Sequence, residues 1–409
     1  MQIYKRFIPN SNTISFSVVF SVGSMHEPTD LNGITHLIEH LSFKKTSALT
    51  QTQIYDICES NGVNIYARTT QNSIEYHFVC RKNVFATIVS LLADMLHCCD
   101  YSEAEISTEK NIVLNECIQR ENTNSEEIIK NRWINKSYQN EILGSATTLS
   151  NITAKHILDY KNSILSSDFL IILLGNYAED DVCLVEKLFS FTKKDRILNT
   201  VEYNQETKNK VINFVKDRYD NVDVYYCFHH KFSTENKERE IVCLHAIENI
   251  LIRGDKAYVT EFVKDQNNVL YGIDSKLVIQ KDEAVWTFWF SVHKDSVLKA
   301  IDLIDCRINS CIIDNEYFKY HKAFFCDNVI MLQDDMHLLK ERVVDLYTQF
   351  NRVVSPEEYS AMILETPLED YNIMFKKLIK SKQLYVFGNV SWMQRKGISK
   401  NFYSNDASG

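Results

Sequence analysis

The chain has 409 residues, of which 45% are hydrophobic and 24% are charged. This composition excludes a disordered or fibrous protein. Because a single hydrophobic core stops growing at roughly 250–300 residues, the length predicts two or more domains. The 45 basic and 54 acidic residues give a net charge of −9, which argues against nucleic acid as a partner.

The cysteines and the apolar segments bear on the cellular compartment. The eleven cysteines are odd in number and scattered, with no CxxC pair, which is not the pattern of a disulfide framework. The N-terminus lacks the apolar run of a signal peptide. The longest purely apolar run, Phe169–Leu174, is far shorter than the roughly 20 residues needed to span a bilayer. We therefore expect a cytoplasmic protein with no membrane segment.

Strand and helix patterns alternate through the first half of the chain. Period-two alternation predicts strands, and apolar residues three and four apart predict helices. The predicted strands are 13–22, 73–80 and 169–174, the last one buried and followed by Gly-Asn. The predicted helices are 34–43, 52–61, 84–99 and one long helix from Ser102 to about Asn135.

The second half of the chain repeats features of the first. The ending Gly-Asn recurs at 388–389, 221–229 resembles the opening strand, and His245-Ala-Ile-Glu-Asn249 resembles His36-Leu-Ile-Glu-His40. We predict an α+β protein made of two homologous domains from an internal duplication, residues 1–205 and 206–409. Each would be a mostly antiparallel sheet packed with helices, joined through the polar stretch 192–210. Because Asn249 replaces a histidine, only the first copy is expected to hold a metal.

The HxxEH segment at residues 36–40 carries candidate metal chemistry. On a helix, residues three and four positions apart share a face, so His36, Glu39 and His40 point the same way. Two such histidines can bind one tetrahedral zinc ion, each nitrogen roughly 2.0–2.1 Å from it. Glu39 would lie beside the open position and take a proton from the attacking water. The alternative is a helix that carries two core histidines and no metal.

A hydrolytic zinc site needs a third protein ligand. Seven glutamates lie between Glu103 and Glu127, and two of them, Glu109 and Glu116, are seven residues apart on one helical face. Most of the seven would be solvated, and composition alone does not choose among them. Lys44 and Lys45, which follow the motif, are also expected to be solvated.

HxxEH followed 76 residues later by a glutamate, with another glutamate seven residues before that, resembles the pitrilysin/insulinase superfamily of inverzincin metallopeptidases. The similarity continues through Gly33–Thr46 and is nearest to the short, two-domain subfamily that includes mitochondrial processing peptidase and its bacterial relatives. The resemblance implies that His36, His40 and Glu116 bind one zinc ion per chain. It also implies that Glu39 is the general base and that Glu109 orients a histidine ligand from outside the ligand set.

A second block of this superfamily pairs with an extended substrate backbone by β-augmentation. Its positions correspond here to Gly62, Ala67, Thr69 and Tyr76. Tyr66 stands where the superfamily usually has asparagine, and Ile74 where threonine is usual. Main-chain pairing does not depend on particular side chains, so the substrate-binding role survives. The bulky Tyr66 indicates a narrower or more aromatic substrate preference.

Active members also aim an arginine and a tyrosine of the second domain at the scissile carbonyl. The matching residues are Lys264 and Tyr271. Lysine keeps the charge but not the planar, bidentate contact, whereas Tyr271 can still donate to an oxyanion. The alternative is a tyrosine without a catalytic role. Because four such domains close the chamber in the superfamily, the resemblance implies either a homodimer or a heterodimer with a related subunit that supplies a better Arg/Tyr pair.

We therefore predict a zinc-dependent endopeptidase that cleaves extended peptides inside a dimeric chamber. Removal of a leader segment from a precursor and general peptide clearance fit the sequence equally well. One alternative is a non-catalytic or regulatory subunit of a peptidase heterodimer. Another is a structural zinc site, but that requires a fourth protein ligand, and no further cysteine or histidine is obviously placed to supply one.

Overall fold

The computed structural model describes residues 1–120, 123–191, 213–214, 221–266, 270, 272–311 and 313–388. Its strands are β1 (Gln2–Phe7), β2 (Thr13–Phe20), β3 (Ile65–Thr69), β4 (Ile74–Arg81), β5 (Phe169–Gly175), β6 (Asn213–Phe214), β7 (Asn221–Lys231), β8 (Asp274–Ile279), β9 (Glu283–His293) and β10 (Gln383–Phe387). Its α-helices are α1 (Ile34–Ser42), α2 (Gln51–Ser60), α3 (Phe85–His97), α4 (Glu103–Gln119), α5 (Asn124–Arg132), α6 (Ala146–Asn151), α7 (Ala154–Leu165), α8 (Glu179–Leu188), α9 (Lys237–Leu251), α10 (Tyr258–Glu261), α11 (Val297–Asn309), α12 (Asn315–Met331), α13 (Met336–Phe350), α14 (Pro356–Glu365) and α15 (Leu368–Lys380). None of the helices in these ranges is long and apolar enough to cross a membrane.

The two sheets have the same topology. The first has the order β1-β5-β2-β4-β3, and the second has the order β6-β10-β7-β9-β8. In each sheet the first-named pair is parallel and the other pairs are antiparallel. This confirms the predicted α+β architecture of two related, mostly antiparallel domains.

The chain forms two compact units, each built around one sheet. The first unit contains the described residues of 1–121, 135–203 and 332–354, and the second contains those of 122–134, 204–331 and 355–409. Each unit therefore includes a helix from the other half of the sequence, α13 in the first unit and α5 in the second. The predicted boundary between residues 205 and 206, and the polar stretch 192–210, lie outside the described residues.

The long helix predicted from Ser102 to about Asn135 is wrong. Helix α4 ends where Arg120 adopts an extended conformation, and α5 begins at a new cap in which the Thr123 hydroxyl accepts a hydrogen bond from the Glu126 backbone N–H. Because a side-chain oxygen at the N-cap satisfies one of the open N–H groups of a helix start, Thr123 supports a new helix. Helix α5 can therefore belong to a different unit from α4.

Helices cover both faces of the first sheet. Alternate residues of β5 enter two different cores: Phe169, Ile171 and Leu173 pack with the helices that include α1, whereas Leu170, Ile172 and Leu174 pack with α13. A strand that is covered on both faces has apolar residues at every position. This is why apolar and polar residues do not alternate along β5. The first sheet is therefore a rigid layer between α1 on one side and α13 on the other.

The second unit has an aromatic core along β7 and β9. Paired rings stack across the two strands, Tyr226 on Phe288 and Phe228 on Trp286. Helix α5 is tied to this sheet because the fully buried Glu283 carboxylate accepts a hydrogen bond from the Ile134 backbone N–H, 2.9 Å away, just after that helix. The stacked aromatic pairs across β7 and β9 stabilise the sheet by more than the burial of their apolar surface alone.

Candidate metal centre

Helix α1 buries one face and leaves the motif residues on the other. Ile34, Leu37, Ile38 and Leu41 are buried in the core of the first unit. The helix begins after Gly33, whose φ of +96° is left-handed, and a Cβ at this position would lie 2.7 Å from the Leu143 carbonyl oxygen. Only glycine fits this turn without strain, so α1 starts at a fixed place and the motif side chains point in a fixed direction.

A buried carboxylate that was not among the predicted site residues, Glu27, holds the start of α1. Glu27 accepts hydrogen bonds from the backbone N–H groups of Gly33 (2.7 Å) and Thr35 (2.8 Å) and from the Asn32 side chain (2.6 Å). Burial raises the pKa of Glu27 to about 7, although these hydrogen bonds favour its ionised form. An acidic residue shortly before a helix start is a known capping signal. Here a loop separates Glu27 from the start of α1, so the signal is not apparent in the sequence.

The three predicted ligands converge. His36 Nε2 lies 3.1 Å from Glu116 Oε2, and His40 Nε2 lies 3.6 Å from Glu116 Oε1. Two atoms bound at 2.0–2.1 Å to one tetrahedral zinc ion would be roughly 3.3 Å apart, so this spacing fits the ion. Among the described residues, His36, His40 and Glu116 form a group whose potential ligand atoms all lie within 4.8 Å of one another.

Glu109 contacts His40 from the side opposite to Glu116. Its Oε2 lies 3.1 Å from His40 Nδ1, and its Oε1 lies 2.5 Å from Lys44 Nζ. A carboxylate that accepts a hydrogen bond from Nδ1–H leaves the Nε2 lone pair directed at the ligand position. Lys44 was expected to be solvated, and this is wrong, because its ammonium is largely buried against Glu109. Lys45 likewise pairs with Glu105, 3.2 Å away.

Glu39 lies between the metal ligands and the edge of the sheet. Its Oε2 is 3.5 Å from His36 Nδ1 and accepts a short hydrogen bond from the Thr69 hydroxyl. Burial alone would raise the pKa of the Glu39 carboxyl, but hydrogen bonds from His36 and Thr69 outweigh it and hold the pKa below its usual value. Burial alone would lower the pKa of His36, but the hydrogen bond and charge of Glu39, and then those of Glu116, raise it.

The residues predicted to bind substrate fall into different environments. Ala67 and Thr69 lie on β3, which ends the strand order of its sheet. Gly62 precedes that strand, with a φ of +65° and open space where a Cβ would be. Tyr76 must be corrected. It lies on the interior strand β4, only 2% exposed, with its hydroxyl 3.1 Å from Ser42, so it packs beneath α1 and does not reach a peptide.

Of the two residues predicted for the second domain, only Lys264 lies within the described residues. Lys264 lies in a π-helical turn, Phe262–Gln266, and its Nζ is 2.7 Å from the exposed carboxylate of Asp255. Tyr271 lies outside the described residues.

Residues 6–149 match the family Insulinase (Peptidase family M16). An uncharacterized zinc protease of Rickettsia felis is 23% identical over 395 residues, which cover 91% of this chain and 92% of that protein. The β subunit of the human mitochondrial-processing peptidase is 28% identical over 154 residues, which cover 36% of this chain and 31% of the subunit. These matches support the resemblance of the chain to the pitrilysin/insulinase superfamily.

Two solved structures share the fold along almost the whole chain. A protease from Helicobacter pylori superposes with a TM-score of 0.78 at 16% identity, covering 94% of this chain and 96% of its own. The inactive domain of a peptidase M16 from Pseudomonas fluorescens superposes with a TM-score of 0.77 at 12% identity, covering 94% and 95%. Since the second is described as inactive, the fold by itself does not distinguish a peptidase of this superfamily from a non-catalytic member.

Proposed function

We propose that this chain is a zinc-dependent endopeptidase that hydrolyses peptides in an extended conformation. The observation that carries the proposal is the convergence of His36, His40 and Glu116 beside Glu39. The adjacent β3 pairs only with β4 among the described strands, so its other edge offers backbone groups to a peptide.

The Nε2 atoms of His36 and His40 and the carboxylate of Glu116 would hold the ion. When bound, zinc supplies a Lewis acid that polarises a carbonyl and makes water more acidic. Glu109 and Lys44 fix the orientation of His40, because the imidazole cannot turn without breaking its hydrogen bond to a buried carboxylate. The ligands are thereby pre-organised by groups that do not themselves touch the ion.

Glu39 would act as the general base. Its carboxylate accepts a proton from the attacking water as the water oxygen bonds to the peptide carbonyl carbon, and it then gives that proton to the leaving amine as the C–N bond breaks. The Thr69 hydroxyl holds Glu39 in position from the edge strand. Thr69 belongs to the strand that would pair with the peptide. That strand would therefore position both the general base Glu39 and the substrate backbone.

The substitution Glu39→Gln tests this role. It leaves the three ligands unchanged and removes only the proton acceptor, so we expect zinc content to stay at one per chain and cleavage to fall by at least about 10²-fold. Zinc measured by mass spectrometry and digestion of a peptide library on the same samples check this. Equal cleavage by both proteins would contradict the assignment of Glu39. Zinc bound by both with no cleavage by either, alone or with a related subunit added, would contradict the peptidase function.

We also propose that a related subunit completes the active site. Lys264 replaces the expected arginine and is engaged by Asp255, which supports a partner that supplies a better Arg/Tyr pair over a homodimer. Full activity of the purified chain, with no gain on adding a related subunit, would contradict this arrangement. Processing of a leader segment and general peptide clearance both remain compatible with it, and the cleavage products from the library separate them.

A further inference from the structure

A pocket of about 360 Å³ lies beside β3, and its lining residues belong to the first unit. It is formed by the edge strand, the neighbouring strand β4 and the first turns of α13. Its walls include Tyr66, Arg68, Glu75, His77, Lys340 and Glu341. Residues more than 260 positions apart in sequence meet here, so no local sequence pattern marks the pocket.

Strand alternation places this pocket and the metal centre on opposite faces of β3. Thr69 points toward α1, where its hydroxyl reaches Glu39, so Tyr66 and Arg68 point toward α13. A peptide paired with β3 alternates in the same way, and directly opposite side chains share a face. The peptide side chain opposite Arg68 would therefore enter the pocket, and its neighbour opposite Thr69 would face the metal centre.

The charged groups of the pocket form a closed network. Arg68 lies 2.9 Å from both Glu75 and Glu341, and Lys340 lies 3.0 Å from Glu75 and forms a short ion pair with Glu341. Glu75 and Lys340 are each only 3% exposed. Two cations and two carboxylates therefore satisfy each other, and an incoming charged side chain would be attracted by one pair and repelled by the other.

The opening of the pocket is aromatic. The Tyr66 ring is 59% exposed and stacks on the His77 ring, with centroids 6.5 Å apart and an interplanar angle of 28°. His77 Nδ1 lies 3.2 Å from the Phe16 carbonyl oxygen. Burial, followed by the charge of Lys340, lowers the pKa of His77, so the imidazole is neutral at pH 7. An exposed tyrosine ring, backed by a partly buried imidazole and beside a partly exposed guanidinium, offers a stacking surface and a cation–π partner.

We propose that this pocket is a specificity subsite for an aromatic side chain of the substrate, held against Tyr66, His77 and Arg68. The aromatic residue occupies the position opposite Arg68, one residue from the position opposite Thr69. It therefore lies close to the scissile bond. This inference rests on the proposed peptidase function, because it assumes that the peptide pairs with β3.

The test compares matched peptides that differ at one position. Library digestion first locates the cleaved bond, and peptides with Phe, Leu, Glu or Lys at the selected position are then compared by kcat/KM. We expect Phe to be preferred over Leu in the wild type, and Tyr66→Ala to lower that ratio by about five- to tenfold, the size of one lost aromatic pair. Tyr66→Phe should retain the preference, and so should Tyr55→Ala, which removes an exposed tyrosine on α2.

The same peptides, labelled and titrated into the zinc-loaded Glu39→Gln protein, give binding constants without turnover. Aromatic selectivity in binding that depends on Tyr66, with no cleavage by the wild type either alone or with a related subunit added, would support the subsite and contradict the proposed function. Cleavage without an aromatic preference near the scissile bond, or a preference for Glu or Lys at the pocket position, would overturn the subsite and leave the peptidase function intact. An equal loss with Tyr66→Phe and Tyr66→Ala would also overturn it, because stacking does not require the hydroxyl.

Discussion

The orientation of His40 depends on residues that are not ligands. Glu109 is 2% exposed and is held between His40 and Lys44. A buried carboxylate in this position raises the basicity of the imidazole and prevents its rotation. The sequence resemblance pointed to Glu109, but the contribution of Lys44 emerges only from the structure, because it depends on how α1 and α4 pack together.

We expect Glu109→Gln to weaken zinc binding by about 10- to 100-fold, since the amide cannot supply the charge that favours the Nδ1–H tautomer. Titration against a chelator of known affinity measures the change. Glu103→Gln, an exposed substitution on the same helix, serves as the control and should leave zinc affinity unchanged. An unchanged affinity in the Glu109 variant would show that His40 is positioned without it.

At the scale of elements, α13 is the clearest case of a helix whose place the sequence does not reveal. It lies in the second half of the chain, yet its apolar face packs on the first sheet through Leu339, Val343, Val344 and Tyr347. The opposite face of that sheet carries α1. Helix α13 thus contributes to the layer that supports the metal centre and also forms one wall of the pocket beside β3.

Leu339→Ala should lower the free energy of unfolding of the first unit by about 2–5 kcal/mol, because it removes a fully buried side chain and leaves a cavity. The adjacent Leu338 is 43% exposed, and Leu338→Ala should change stability by no more than about 0.5 kcal/mol. Urea unfolding curves of the two variants and the wild type make the comparison. Equal effects at both positions would show that α13 does not pack on the sheet as described.

At the scale of the whole molecule, the two copies share their architecture, but the second copy does not keep the metal-binding motif of the first. The second copy retains a glutamate at the corresponding helix position, Glu248, and an edge-strand hydroxyl, that of Ser275, which donates to it over 2.6 Å. Arg253 also lies 3.2 Å from the same carboxylate. Asn249, in place of a histidine, donates to the carbonyl of His245. The second site is therefore held together by an ion pair and hydrogen bonds within the protein.

Restoring the histidine should not restore a metal site. We expect Asn249→His to bind one zinc ion per chain, as in the wild type, because two histidines fall one short of the three protein ligands that a catalytic zinc site needs and Glu248 is already engaged. His40→Ala serves as the control and should lose the single ion. Zinc content by mass spectrometry decides, and a value near two in the Asn249 variant would contradict this account.

Local sequence patterns were sufficient to predict several elements and the HxxEH motif. The strand at β2, the helices α1 to α3 and the repeated topology follow from hydrophobic periodicity and internal similarity, which depend on near neighbours in the chain. The motif at 36–40 is likewise local, since helical spacing alone aligns its side chains.

Features that depend on contacts between distant segments became apparent only in the tertiary structure. The helix that each unit takes from the other half, the burial of Tyr76 and the pocket against α13 are all of this kind. Apolar burial and ion pairing act between any surfaces that meet, and they leave no fixed spacing in the sequence to be recognised.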